Sequence, residues 1–190
     1  FSVERIIEDD YQSVRAAHVA DLDGDGDNDV LAAKVSGDRI IWYRNNGTGQ
    51  FSEDIVLVDD VNAPYSVYNA DFDDDGDLDV VAAIRSDDQV IWMENDGSGN
   101  FSAPIVITEN LENVQTVYAE DFDNDGDIDV LSSAFSDDKI SWYANDGSGS
   151  FSDEQIISTN AESGVYVSTG DLDGDGLVDV ISATHSSSAS

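Results

Sequence analysis

Cysteine is absent from this chain of 190 residues, which excludes a disulfide framework and any thiolate metal site. Only seven lysines and arginines accompany 42 aspartates and glutamates, so the formal net charge at pH 7 is −35. We therefore expect no nucleic-acid partner, because phosphate binding needs clustered basic side chains. No apolar run reaches the roughly 18 residues of a membrane span, and no charged-then-apolar signal segment opens the chain. The sequence predicts no membrane insertion.

The composition nevertheless indicates a folded domain. Hydrophobic residues make up 40% of the chain and aromatic residues 9%, which is too apolar for a disordered acidic tail. The length is sufficient for one domain with a hydrophobic core.

An acidic loop of nine residues occurs four times, starting at Asp21, Asp71, Asp121 and Asp171. Each copy has aspartate at positions 1, 3, 5 and 9 and glycine at position 6. Four or more carboxylates in one tight turn repel one another unless a cation neutralises them. The loop therefore predicts a bound hard cation, Ca²⁺, with about four ions in the chain. Leu177 at position 7 of the last loop indicates that this position contributes its backbone carbonyl. The predicted metal ligands are Asp21, Asp23, Asp25, Asp27, Asp29, Asp71, Asp73, Asp75, Asp77, Asp79, Asp121, Asp123, Asp125, Asp127, Asp129, Asp171, Asp173, Asp175, Leu177 and Asp179.

Other interpretations of these loops are less favoured. An EF-hand needs glutamate at position 12, where this chain has Ala32, Ala82, Ser132 and Ser182. Magnesium prefers an octahedral site that keeps its waters, and a solvated turn would not need four copies in phase. A hydrolytic carboxylate pair is normally unique, whereas these carboxylates recur four times. We therefore expect no enzymatic activity and no catalytic residues.

The whole sequence repeats at an interval of fifty residues, marked by Phe1, Phe51, Phe101 and Phe151. A fixed period of this size is typical of solenoids and propellers. We treat residues 1–190 as one repeat array. Its predicted parts are an outermost strand at 1–10, full repeats at 11–60, 61–110 and 111–160, and an incomplete repeat at 161–190.

Each repeat contains four short segments rich in strand-forming residues, separated by Asn, Asp and Gly turns. No stretch has a 3.6-residue period over helical length. The prediction is an all-β fold of β-propeller blades, each with four antiparallel strands, and about three and a half blades in the chain. Because the two ends do not form one complete blade, we expect either part of a larger propeller or a subunit completed by a neighbour.

The segments Val117–Leu131 and Trp142–Phe151 resemble the FG-GAP or VCBS-type repeat, and the acidic loop is similar to that of the integrin alpha-subunit propeller. The resemblance implies a calcium-stabilised β-propeller with the ion between the first and second strands of a blade. It also implies a secreted or cell-surface protein that serves adhesion or ligand binding, or a module beside an enzyme.

The expected function is an extracellular calcium-stabilised module for adhesion or scaffolding, whose partner is a protein or glycan at a cell surface or in the matrix. One alternative is a lectin-like module that stacks sugars on Trp42, Trp92 and Trp142, although packing between blades explains these residues better. The other is a structural filament in which terminal strands complete neighbouring subunits. His18 and His185 are out of phase with each other in the repeat, so we expect neither a catalytic nor a transition-metal role for them. Asn46 begins a glycosylation sequon, which we interpret as turn chemistry.

Overall fold

The computed structural model describes residues 6–7 and 13–184, without the side chain of Val165. Fourteen β-strands occur in this part of the chain, and it contains no helix, so the all-β prediction is confirmed. The strands are β1 Val14–Ala20, β2 Asp29–Lys34, β3 Arg39–Tyr43, β4 Ile55–Val58, β5 Pro64–Ala70, β6 Asp79–Ile84, β7 Gln89–Met93, β8 Ile105–Thr108, β9 Val114–Glu120, β10 Asp129–Ala134, β11 Lys139–Tyr143, β12 Gln155–Ser158, β13 Gly164–Gly170 and β14 Asp179–Thr184.

The strands form four antiparallel sheets, each of which is one blade. Blade 1 contains β1 to β4, blade 2 contains β5 to β8, and blade 3 contains β9 to β12, each in chain order. In blade 4 the described residues form β13 and β14. The inner strands β1, β5, β9 and β13 pack against one another in succession, which stacks the blades side by side. The sheets do not close into a barrel, consistent with a partial propeller.

The second strand of a middle blade is buried on both faces because the blade packs on both of its neighbours. All six residues of β6 and of β10 are buried. Two large apolar clusters follow from this packing, one between blades 1 and 2 around Leu31, Ile40 and Val80, and the other between blades 2 and 3 around Phe72, Trp92 and Val130.

The same irregularity recurs near the start of each inner strand. The pairing register shifts between Val14 and Ala16, and again between Pro64 and Ser66 and between Gly164 and Tyr166. The equivalent shift in blade 3 faces the pair Ser133/Ala134. A register shift of this kind is a β-bulge, which bends the strand and strengthens its twist.

Consecutive blades are joined by hydrogen bonds that recur from blade to blade. They centre on an aspartate in the turn between the second and third strands of the preceding blade. Asp88 lies in this turn with φ +58°, and its carbonyl oxygen accepts the Leu111 N–H at 3.2 Å. Its carboxylate accepts the Asn113 N–H at 2.8 Å. Asp38 and Asp138 bind the corresponding crossover segments in the same way. Each crossover is therefore held at its middle and at its last residue.

The last blade exposes apolar side chains at positions whose equivalents in the middle blades are buried. Tyr166 is 53% exposed and Ile181 is 44% exposed. Of the outermost strand predicted at 1–10, only Ile6 and Ile7 are described, and neither lies in a strand. The rest of that prediction, together with His185 and residues 186–190, lies outside the described residues. No helix in the described part of the chain is long and apolar enough to cross a membrane.

Candidate metal centres

The four acidic loops lie in equivalent places, each between the first two strands of its blade. In every loop the aspartates at positions 1, 3 and 9 bring one carboxylate oxygen each to within 4.8 Å of the others. The four triads are Asp21, Asp23 and Asp29; Asp71, Asp73 and Asp79; Asp121, Asp123 and Asp129; and Asp171, Asp173 and Asp179. The structure therefore assembles three of the predicted ligand positions in each repeat.

The position-9 aspartate is the fixed member of each triad. It begins the second strand, and Asp29, Asp79 and Asp129 have no exposed surface. In loop 2, Asp79 accepts the Phe72 N–H at 3.0 Å on one oxygen and the Asn95 N–H at 2.8 Å on the other. The same pair of bonds holds Asp29 and Asp129. Two backbone donors thus set the orientation of this carboxylate.

The position-1 aspartate shapes the turn by accepting backbone N–H groups further along the loop. In loop 2, Asp71 accepts the N–H of Asp75 at 3.2 Å and that of Gly76 at 3.0 Å. Gly76 has φ +94°, a conformation that favours glycine, which explains the glycine at position 6. The loop folds back on its own first carboxylate and so brings position 3 beside position 9.

Positions 5 and 7 lie outside the triads. The position-5 carboxylate accepts the N–H of position 7, as in the 2.9 Å bond from Asp77 to Asp75. The carboxylates at position 7 lie against the glycine of the next hairpin in their own blade, with Asp77 beside Gly97 and Asp127 beside Gly147. Coordination by positions 5 and 7, including the carbonyl of Leu177, stays a prediction.

Burial, with a smaller contribution from nearby carboxylates, raises the pKa of the position-9 aspartate in loops 1, 2 and 3 and of Asp73 in loop 2. Burial raises the pKa of Asp79 to about 7; the N–H groups of Asn95 and Phe72 oppose that shift, and the nearby charges of Asp73 and Asp75 add to it. Burial also raises the pKa of Asp29 and of Asp129. A bound cation would favour the charged form, so these sites are electrostatically prepared for one.

The geometry of the triads fits calcium. Oxygen ligands lie about 2.3–2.6 Å from Ca²⁺, so two ligands of one ion can be at most about 5 Å apart. The observed limit of 4.8 Å satisfies this condition in all four loops. In loop 2, moreover, the buried Oδ1 of Asp73 has no hydrogen-bond donor among the described residues. An oxygen in that situation needs a cation or a water.

Each of the first two loops is also tied to the following blade, which sequence reasoning missed. The Asn145 side chain in blade 3 donates one hydrogen bond to the Phe72 carbonyl in loop 2 at 2.7 Å and another to the Ile128 carbonyl in its own loop at 2.9 Å. Asn95 makes the equivalent bonds to Leu22 and Leu78. The repeated Asn-x-Gly segment by itself predicts only a hairpin turn. The asparagine that recurs at the same position in each repeat is the sequence signal for this contact between blades.

The tryptophans fill space at the blade interfaces, as predicted. Trp42 and Trp92 are 4% and 3% exposed, while Trp142 is partly exposed. The rings of Phe72 and Phe151 meet Trp92 edge-on, with centroids 6.2 and 6.1 Å away. The faces of Trp42 and Trp92 are therefore not available to a sugar.

His18 and Asn46 both contact other residues in the structure. His18 lies on β1 with its ring centroid 4.3 Å from that of Tyr68, and its Nδ1 contacts the Asn69 side chain. Asn46 is exposed, and its side-chain oxygen accepts the Thr48 N–H at 3.0 Å within the hairpin, in keeping with a role in the turn.

The sequence matches the model of the FG-GAP-like repeat three times, at residues 21–82, 71–132 and 121–182. The chain belongs to the FG-GAP-like repeat family. Each match begins at one acidic loop and runs beyond the next, so each match covers two of the aspartate triads. The comparison with curated proteins finds no significant match.

Solved structures with similar folds include three of different origin. A lectin from Agrocybe aegerita that recognises non-reducing terminal N-acetylglucosamine is 22% identical with a TM-score of 0.57, over 77% of this chain and 39% of the lectin. The V. cholerae biofilm matrix protein Bap1 is 18% identical with a TM-score of 0.55, over 90% and 28%. BBS1N, solved in complex with ARL6DN, is 13% identical with a TM-score of 0.56, over 88% and 53%. The FG-GAP-like chain thus spans about half or less of each structure, and the likeness concerns the fold.

Proposed function

We propose that this chain is a non-enzymatic, calcium-stabilised β-propeller module of a secreted or cell-surface protein, used for adhesion or as a scaffold. The observation that carries the proposal is the recurrence of one aspartate triad in all four blades, with its oxygens within 4.8 Å. Positions 1, 3 and 9 hold the ion in each loop, and positions 5 and 7 complete the coordination directly or through water. Extracellular calcium is in the millimolar range that suits such modules.

The role of calcium in this proposal is structural. The acidic loop joins the first and second strands of a blade. In loops 1 and 2 its backbone also accepts a hydrogen bond from the asparagine side chain of the next blade. An ion that neutralises the loop would therefore stabilise both a hairpin and a blade interface. The biofilm matrix protein among the structural neighbours supports a matrix or adhesive setting.

Calcium titration by calorimetry tests this proposal. The wild-type chain should bind several ions, and Asp79→Asn should remove one of them, because it replaces a buried triad carboxylate by a neutral amide. Asp87→Asn, in the turn at the opposite end of the same blade, is the control and should leave the stoichiometry unchanged. A chain that binds no calcium would contradict the proposal.

Carbohydrate recognition is a second candidate, favoured by the lectin neighbour and by a row of partly exposed rings on the inner strands. His18, Tyr68 and Tyr118 lie side by side, with centroid separations of 4.3 and 4.9 Å. Aromatic rings present the apolar surface on which sugars stack. A glycan array should then give hits that Tyr68→Ala abolishes, and an array without any hit would remove this candidate. The strand-exchange filament depends on the strand predicted at 1–10, most of which lies outside the described residues, so this alternative gains no support here.

A further inference from the structure

One residue beside each acidic loop differs in charge between otherwise matched blades. Arg44, Glu94 and Ala144 directly follow the third strand of blades 1, 2 and 3. The backbone at this position is held identically, because each N–H donates to a serine hydroxyl eight residues later at 3.0 Å. The three side chains therefore start from the same place relative to their loops.

In blade 1 the guanidinium group of Arg44 enters the acidic loop. Its Nε lies 2.5 Å from Asp23 Oδ2, and its Nη2 lies 3.2 Å from Asp25 Oδ2. Asp23 belongs to the triad, and its side chain is only 4% exposed. Arg44 thus pairs with a carboxylate that a metal ion at this site would need.

Among the residues that the structure describes, no cation pairs with the loops of blades 2 and 3. Glu94 adds a further negative charge near Asp73, which helps to raise the pKa of that carboxyl, after the larger effects of burial and of Asp75. Ala144 carries no charge. Loops 1, 2 and 3 themselves contain five, six and five carboxylates. The three sites therefore form a graded series of negative charge, with loop 2 the most negative and loop 1 the least.

We propose that the residue following the third strand sets the calcium affinity of its blade, so that loop 2 binds most tightly, loop 3 less tightly and loop 1 most weakly. Calcium at loop 1 must displace a guanidinium that already neutralises part of the triad. Affinity in carboxylate sites increases with the negative charge of the ligands, and a unit positive charge beside the site opposes cation binding directly. This inference rests on the proposed calcium function.

The test follows Tb³⁺, a luminescent calcium substitute, at one loop at a time. The Trp42 indole lies beside Asp29 of loop 1, and the Trp142 indole lies beside Asp129 of loop 3. A chain with Trp92→Phe and Trp142→Phe leaves Trp42 as the only tryptophan, so its sensitised luminescence reports on loop 1. In that background, Arg44→Gln, which keeps much of the side-chain stem, should lower the Tb³⁺ midpoint by about tenfold.

The matched control introduces an arginine at Ala144, the position in blade 3 that corresponds to Arg44. In a chain with Trp42→Phe and Trp92→Phe, Trp142 reports on loop 3, and Ala144→Arg should raise the midpoint by about tenfold. Circular dichroism checks that each variant is folded. Calcium calorimetry on chains with all tryptophans retained provides a second measurement, in which Arg44→Gln should tighten one class of sites and leave the others unchanged.

The outcomes separate this inference from the calcium proposal itself. Tb³⁺ and calcium that bind with midpoints unaffected by Arg44→Gln and Ala144→Arg would overturn the affinity order while leaving calcium binding intact. A shift of either midpoint in the opposite direction would do the same. Absence of calcium and Tb³⁺ binding to the wild-type chain would overturn both.

Discussion

At the scale of single residues, the triads combine buried carboxylates with a small number of fixed donors. Asp79 illustrates the balance, because burial opposes its charge and two backbone N–H groups favour it. The positions of these aspartates could be predicted from the sequence, since a side-chain ligand must be aspartate in every copy. The placement of the position-7 carboxylates could not, because it depends on a hairpin in the same blade about twenty residues later.

The raised pKa of Asp79 predicts the pH dependence of the calcium-free protein. The folded state holds the Asp79 proton up to a pKa of about 7, whereas the ordinary value is 3.8. The folded state therefore binds more protons between these values, and its free energy of unfolding should fall as pH rises through that window. Urea unfolding in EDTA at pH 5 and pH 7.5 measures this, and Asp79→Asn should reduce the slope.

Calcium should reverse that trend. Coordination needs the ionised carboxylate, so calcium binding releases protons and strengthens as pH rises toward 7. Urea unfolding in millimolar calcium should therefore show a stability that increases between pH 5 and pH 7.5. A calcium-loaded protein that loses stability over this interval would contradict the assignment of Asp79 as a ligand.

Replacing Gly149 by alanine should destabilise the protein through packing as well as through backbone strain. A Cβ at Gly149 would lie 2.4 Å from the Trp92 ring, and its φ is +71°. Gly149→Ala should lower the free energy of unfolding by the strain of a left-handed residue, about 1–2 kcal/mol, plus about 1–3 kcal/mol for overpacking. Gly174 in loop 4 has a similar φ of +80° and open space at its Cβ position, so Gly174→Ala should show the strain alone. Urea unfolding in EDTA compares them, and equal losses would contradict the packing explanation.

At the scale of strands and hairpins, the sequence predicts more than it does for individual contacts. Strong strand formers and the Asn/Asp/Gly turns locate β8 to β11 within a few residues, because hydrophobic patterning and turn chemistry act locally. The bonds of Asn95 and Asn145 connect residues 73 apart, and no local pattern identifies their acceptors. The bulge near the start of each inner strand is likewise set by the pairing of two strands.

The asparagine bridge gives a prediction with an internal control. Asn145 is buried and bonds to carbonyls of two blades, whereas Asn45 is partly exposed and its side chain donates to Asn28 of its own blade at 2.9 Å. Asn145→Ala removes one donor from the Phe72 carbonyl, which keeps the Gly149 N–H at 3.0 Å as its second donor. It should therefore lower the free energy of unfolding by about 0.5–1.5 kcal/mol more than Asn45→Ala does. Equal losses in urea unfolding would show that the contact between blades contributes nothing.

At the scale of the whole molecule, two properties compete. A formal charge of −35 favours expansion, while the stacked blades require acidic loops to lie close together. The cavity between loops 2 and 3 is lined by Asp71, Asp74 and Asp127 from the two blades. The sequence predicts the all-β fold and its period, because every repeat must solve the same packing problem. It does not predict how the exposed apolar surface of blade 4 is covered.

Thermal unfolding in EDTA and in millimolar calcium, at constant pH and ionic strength, tests the central claim most directly. Calcium binds only the folded loops, so each occupied site should add about 2.7 kcal/mol at a free concentration one hundred times its Kd. We therefore expect Tm to be lowest in EDTA and to rise steadily with calcium concentration, with magnesium at the same concentration much less effective. A Tm that is the same in EDTA and in calcium would contradict the calcium-stabilised propeller.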